Sequence, residues 1–415
     1  MRTLSKMVVL TFTLSFLLLS SLYVPSANDL ASAQSVEAFS PLTYSPILPQ
    51  SEQLSVIPLP PGGPSPRQAH TAIKDELKND MIIFGGGYFD VEEWHLYRYN
   101  DVWKLDLDSY SWTQVSTIGT PPPPVSGHTS IYDPVEHRML VFGGGIDGGI
   151  LNGVYELDLD VFTWNLLSTT GEAPSTRWDH CAVYNSQNHS MVIFGGRDLD
   201  GALDDLWMLY LHTSAGLVWQ RIKSYGPSER MGQRAIYVPD RNSMLVFGGS
   251  NYWVEPWPYF HYNDLWEFNF DTQTWSQVFP ATKVLPPARD ANLACYDGMN
   301  NRMLIFGGIG DYDVILNDLW ELDLTTLSWR RSFPHLARDR FAGIFDETTQ
   351  ELIFFGGDFH GHYYTFGDGF RITTSTTPPV FKNGDVNCDG EINTADIVYL
   401  INYLFAGGPE PGTIR

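Results

Sequence analysis

The chain has 415 residues, with 25 Lys and Arg against 48 Asp and Glu, a formal net charge of −23, and a composition that is 43% hydrophobic and 14% aromatic. Such acidity argues against nucleic acid as a partner. Three cysteines are too few for a disulfide framework, so stability has to come from core burial in a chain whose 37 Gly and 27 Pro announce many turns. In chain order, the first element is an export signal: Arg2 and Lys6, an uncharged apolar run at 7–24, and a small-x-small site at Ala31-Ser32-Ala33. Cleavage before Gln34 is expected and an uncleaved anchor is the alternative; no later stretch reads as a membrane span, and the location is secreted or cell-surface.

After an N-terminal extension at 34–53 the sequence repeats itself. Six segments share one ending: MIIFGG (81–86), MLVFGG (139–144), MVIFGG (191–196), MLVFGG (244–249), MLIFGG (303–308) and LIFFGG (352–357), spaced 49 to 59 residues apart. Each apolar run reads as a short strand buried on both faces, and the Gly pair lets the backbone leave the sheet. Other columns keep register with it. His70, His128, His180, Gln233, Asn292 and Phe341 form one, and Arg67, Val125, Arg177, Arg230, Arg289 and Arg338 another, three residues earlier. Behind the glycines come Asp101-Val102-Trp103, Gly153-Val154-Tyr155, Asp205-Leu206-Trp207, Asp264-Leu265-Trp266, Asp318-Leu319-Trp320 and the weaker Asp368-Gly369-Phe370. A second aromatic follows at Trp112, Trp164, Trp219, Trp275 and Trp329, nine residues on except for twelve in the third unit.

These columns resemble the kelch repeat, a four-stranded blade with paired glycines and two aromatics at fixed separation. The resemblance implies an all-β, six-bladed kelch β-propeller over residues 54–372. The sixth unit lacks its second Trp. Counting back from Arg67 by the gap that separates Trp112 from Val125 lands on Leu54 in LSVIPL, so residues 54–58 are expected to close the ring beside 366–372. Glycine and aromatic columns recur in nearly every unit and read as scaffold, with the rings wedged between blades. Cys181 and Cys295, in the innermost strands of blades three and five, read as buried small hydrophobes.

In kelch propellers the loop entering the innermost strand and the loop after the glycines open on one face. The resemblance therefore implies that Arg67, Arg177, Arg230, Arg289 and Arg338 ring one mouth of the central channel, with Arg234 and Arg340 as additions. A second reading has the recurrent arginines holding backbone carbonyls and acidic loop residues. Three long loops after the glycines are aromatic: YFDVEEWHLYRYN (88–100), NYWVEPWPYFHYN (251–263) and DFHGHYYTF (358–366). Trp94, Trp253, Trp257, Tyr259, Tyr363 and Tyr364 offer flat faces for a carbohydrate or protein ligand, or else pack together to order the loops. Non-enzymatic recognition ranks first, since no Ser-His-Asp ordering, phosphate loop or paired-carboxylate motif stands out. The alternative is an exported carbohydrate-active enzyme: sialic-acid mutarotase-like, using mouth arginines and acids, or galactose-oxidase-like, with His360 and His362 near a metal.

A Thr/Pro linker at 373–383 leads to GDVNCDGEINTAD (384–396). Asp385, Asn387, Asp389, Glu391, Asn393 and Asp396 fill positions 1, 3, 5, 7, 9 and 12 of a calcium loop, with Gly390 at the sharp turn. Asp at position 12 and the apolar helix pattern of 397–405 resemble one repeat of a dockerin type I domain. That resemblance implies a small EF-hand-like helical module at 384–415, calcium as cofactor and a cohesin-like partner, although dockerins carry two such repeats and this chain carries one. Cys388 falls at loop position 4, directed away from the ion.

Overall fold

The computed structural model describes residues 54–251, 260–334, 336–359 and 364–374. The signal, the extension, the calcium module and most of the linker lie outside the described residues. Within them the fold is all-β, and the only helical turns are two short 3-10 segments, Pro239–Arg241 and Asp311–Asp313.

Each GG unit folds into an antiparallel sheet. In blade 1 the strands run Thr71–Asp75, Asp80–Phe84, Val102–Asp106 and Trp112–Val115 from the centre outwards, paired in sequence order. Four further sheets of the same order begin at Thr129, Cys181, Arg234 and Leu293. In blades 2 and 3 the connecting segment adds a short parallel strand outside, Ile118–Gly119 and Thr169–Gly171 respectively. The sixth takes Ala342–Asp346, Glu351–Phe355 and Gly369–Thr374 from the end of the described chain and its outer strand, Leu54–Pro58, from the beginning. Leu54 lies opposite Thr374 and Pro58 opposite Phe370, so the pairing reaches two residues past the expected 372. The innermost strands touch in order, and the sixth touches the first. The ring is closed, and its join is a blade shared by the two ends.

The apolar runs explain why the blades stack. Side chains alternate across a strand, so Met81 and Ile83 face blade 6, packing with Ile353 and Phe355, while Ile82 and Phe84 face blade 2, packing with Met139 and Val141. All four are fully buried. Burying each such side chain stabilises by roughly 1.5–3 kcal/mol, and the pattern is repeated around the ring. The second aromatic column seals five of the six junctions. Trp164 meets Phe84 at 4.8 Å between ring centres, Trp219 meets Phe142 at 5.1 Å, Trp275 meets Phe194 at 5.0 Å, Trp329 meets Phe247 at 5.8 Å and Trp112 meets Phe355 at 5.3 Å. The blade 5–6 junction, which has no such Trp, is filled by Phe306 against Phe341 and Phe354. The twelve-residue spacing in unit three has a plain cause: its third and outer strands, Leu206–Thr213 and Gly216–Ile222, are longer.

The glycine pair is a joint between blades. Gly85 and Gly86 take φ of 65° and 84°. A Cβ on Gly85 would stand 2.9 Å from the Val125 carbonyl oxygen of blade 2, and one on Gly86 would stand 2.6 Å from the His70 Cβ. The Gly86 N–H donates to that same Val125 carbonyl at 2.8 Å, and the second glycine of every other blade makes the equivalent bond to its neighbour, ending with Gly357 to Arg67 at 2.9 Å.

Candidate ligand-binding site at the channel mouth

The arginine column lies inside the wall. Arg67 Nη1 and Nη2 donate to both oxygens of Asp101 at 2.7 and 2.9 Å, and Nη1 also donates to the Gly85 carbonyl at 2.9 Å. Arg177 with Asp205, Arg230 with Asp264 and Arg289 with Asp318 repeat this fork, and Arg338 makes a single bond to the Asp368 carboxylate, at 2.8 Å. The Trp two residues after the Asp donates its indole N–H to the same carboxylate in four blades. All five arginines are buried, and none lines the channel. The implied ring of mouth arginines is thus corrected. A buried guanidinium needs a carboxylate, and the Asp of each blade supplies one locally. Burial pushes the carboxyls of Asp101, Asp205 and Asp318 up, and the arginines more than reverse it, leaving all three below the usual range.

Two residues past each arginine position, the backbone turns left-handed at Ala69, Gly127, Asp179, Gly232, Ala291 and Arg340, with φ between 51° and 67°. The N–H of each donates to the carbonyl of the one before it: Gly127 to Ala69 at 2.9 Å, Asp179 to Gly127 at 2.8 Å, Gly232 to Asp179 at 2.8 Å, Ala291 to Gly232 at 2.9 Å, Arg340 to Ala291 at 2.9 Å and Ala69 to Arg340 at 2.7 Å. Six hydrogen bonds make a closed hoop around the channel. Small residues at four positions keep it open, and at the other two, in opposite blades, stand Asp179 and Arg340.

The channel holds a cavity of about 190 Å³, lined at its charged end by Asp179, Arg234, Asp290 and Arg340. Arg197 lies over the Trp178 ring at 4.4 Å and brings Nε within 4.0 Å of Asp179. Arg234 donates Nε to the Asn292 carbonyl at 2.6 Å, and Arg340 donates Nη1 to Asp339 at 2.9 Å. Burial raises the Asp179 carboxyl, opposed by Arg197, Arg340 and Arg234; it raises Asp339 to about 7, opposed by Arg340 and helped by Asp358 and Asp290. Asp179 keeps 34% of its side chain exposed where it lines the channel. This arrangement can hold a polar group by pairing it with guanidinium donors on one side and carboxylate acceptors on the other. Of the sequence candidates, Arg234 and Arg340 stand here. Asp179 and Asp290 were missed, although Asp179 breaks a column of Ala and Gly.

Loops entering the innermost strands bridge to those following the glycines at Gln68–Gly87, Ser126–Gly145, Trp178–Arg197, Met231–Ser250, Asp290–Ile309 and Asp339–Asp358, so both loop sets rise on one face. Trp94 stands exposed there on the blade 1 hairpin, and Tyr364 pairs with Phe359 in a two-residue strand. Trp253, Trp257, Tyr259, Tyr363, His360, His362 and all six calcium-loop residues lie outside the described residues. Cys181 and Cys295 are buried free thiols, each raised to about 12 by burial. Among the described residues no cluster of three His, Cys, Asp or Glu side chains is placed to hold a metal, and no helix is long and apolar enough to cross a membrane.

Residues 87–284 match the KLHDC2/KLHL20/DRC7 Kelch-repeats domain. The fold is a kelch-repeat β-propeller. Kelch domain-containing protein 10 of Rattus norvegicus is 28% identical over 297 residues, 67% of this chain and 68% of that protein. The host cell factor homolog hcf-1 of Caenorhabditis elegans is 27% identical over 267 residues, 59% of this chain but 32% of its own length, so this chain spans about a third of that relative. The solved structure of YjhT superposes with a TM-score of 0.57 at 14% identity, covering 76% of this chain and 97% of that one, and supports the propeller fold alone.

Proposed function

We propose that the protein is an exported recognition propeller that takes a carbohydrate or protein ligand at the channel mouth and is fixed to an assembly or surface through its calcium-loop tail. Kelch propellers generally mediate binding, and the mixed Arg and Asp lining of this mouth is the observation that carries the reading. Innermost strands run from the mouth to the opposite face, second strands return, and third strands run away again. Leu54 and Thr374 consequently sit together on the face opposite the mouth. A handle joined at Thr374 leaves the mouth accessible.

The test is a glycan array and an affinity capture from extracellular fractions with the full chain, each repeated on Asp179→Asn/Arg234→Gln. Binding that the double variant loses supports the mouth as the site. Undiminished binding would sink it. For the tail, isothermal titration with calcium should show one site with a Kd of about 10⁻⁴ to 10⁻³ M that Asp385→Ala abolishes. Chelation should leave the propeller's melting transition in place; no heat with calcium refutes the loop assignment.

A further inference from the structure

On the mouth face, three alternate blades raise hairpin tips of the same chemistry. The tip of blade 1 carries Glu92 and Glu93 beside Trp94, that of blade 3 carries Asp198 and Asp200 around Leu199, and that of blade 5 carries Asp311 and Asp313 around Tyr312. The apolar residue is open to solvent in each: Trp94 is 70% exposed, Leu199 79% and Tyr312 85%. Water-facing apolar groups of this size gain nothing where they stand.

Two of the tips also carry backbone strain. Trp94 has φ of 54°, Tyr312 61° and Asp313 57°, all in the left-handed region that bulky side chains adopt only at a cost. Trp94 leans on Phe89 at 5.2 Å, but among the described residues no aromatic ring is stacked on Tyr312. The blade 2 tip differs: its single carboxylate, Asp147, is held by Arg98 at 2.6 Å.

We propose that these three tips form a docking surface for a basic segment of a partner protein, lysines or arginines meeting the carboxylates and apolar or aliphatic parts covering Trp94, Leu199 and Tyr312. Charge complementarity selects the occupant. Glu92, Asp200 and Asp313 are exposed, and their side chains make no hydrogen bond or ion pair among the described residues, so a cation arriving there displaces only water. A second copy of this chain, at net charge −23, would be repelled. Arginine and lysine also bind the face of exposed Trp and Tyr rings.

The inference rests on the recognition reading but places the contact on the rim, outside the channel, and the experiment separates the two. The probe is a labelled synthetic peptide in which lysines alternate with tyrosine and serine, measured by anisotropy against the full chain at near-physiological salt. Glu92→Gln/Asp200→Asn/Asp313→Asn is expected to weaken binding about tenfold. A variant with the same charge change on the opposite face, Glu76→Gln/Glu136→Gln/Asp240→Asn, should change it less than about twofold. Leu199→Ser/Tyr312→Ser should weaken binding without altering its salt dependence. Equal losses in both charge variants, or no loss in either, would falsify the docking surface, because overall acidity alone would then account for binding. Loss through Asp179→Asn/Arg234→Gln with the rim variant unaffected would overturn it too and leave the channel-mouth reading standing. A neutral polysaccharide whose binding depends on Leu199 and Tyr312 but not on the carboxylates would likewise overturn the basic partner.

Discussion

At the scale of single residues, the Arg–Asp–Trp cluster is the unit from which the blade is assembled. Arg289 and Asp318 are both buried, and the guanidinium also satisfies the Gly307 carbonyl at 2.9 Å. Arg289→Ala would strip the two-pronged donor from a buried carboxylate, which keeps only the Trp320 indole N–H and Arg331 at 3.2 Å, and would leave the buried Gly307 carbonyl without its guanidinium donor, so about 3 kcal/mol of stability should be lost, read as the shift in urea midpoint. Blade 2 supports this pairing by losing both members together, Val125 for Arg and Gly153 for Asp. The buried histidines make a second prediction. Burial pushes His70 and His180 well down, with Arg67 and Arg177 adding to the effect, and takes His128 to about 3. An unfolded histidine protonates near 6.5, so below that pH the unfolded state binds protons that the native state refuses. Each of these histidines therefore costs stability as pH falls from 6.5 towards 3. His128→Gln copies the residue blade 4 uses, where Gln233 Nε2 donates to the Phe194 carbonyl at 2.7 Å. It should keep the fold and make the loss of stability shallower by about 1.4 kcal/mol per pH unit, measured by urea unfolding between pH 6 and about 4.

Single elements show how far the sequence could be read. Strands and blades were legible because their signals are local: an apolar run, two glycines and, in four units, two aromatics nine residues apart. The closing strand was legible through an absence, the missing Trp of the sixth unit. What did not follow from the columns was which side chains meet. Arg67 and Asp101 are 34 residues apart while Arg177 and Asp205 are 28 apart, because the hairpin between them varies in length, and no constant spacing ties the two columns. That the arginines hold a backbone carbonyl and an acidic loop residue was legible as one of two readings; which Asp each one meets, and that none reaches the mouth, was not. Channel residues showed only as exceptions, Arg234 and Arg340 being noticed as extra charges and Asp179 passing unnoticed. Removing the closing element tests its role. A chain beginning at residue 59 loses Leu54 and Val56 from the packing around Phe354 and Ile372 and opens the Gly369–Thr374 edge to solvent. Lower melting temperature and association through the bared edge are the expected outcomes, checked by calorimetry and light scattering.

For the whole molecule, closure makes every blade junction depend on the others. The hoop of six hydrogen bonds at the mouth has no end, so opening one junction strains the rest and the ring should unfold in one cooperative transition, with coincident fluorescence and circular dichroism curves in urea. Two separated transitions would contradict that. The shared sixth blade also decides how the molecule carries mechanical load. A pull applied between a ligand on the mouth and a tether at Thr374 acts lengthwise along the last strand, which is clamped by Leu54–Pro58 on one side and Glu351–Phe355 on the other. Lengthwise force shears both ladders at once, and all their hydrogen bonds share it; a strand peeled sideways would yield them one at a time. The same join that closes the ring thus makes its C-terminal strand an anchor suited to tension.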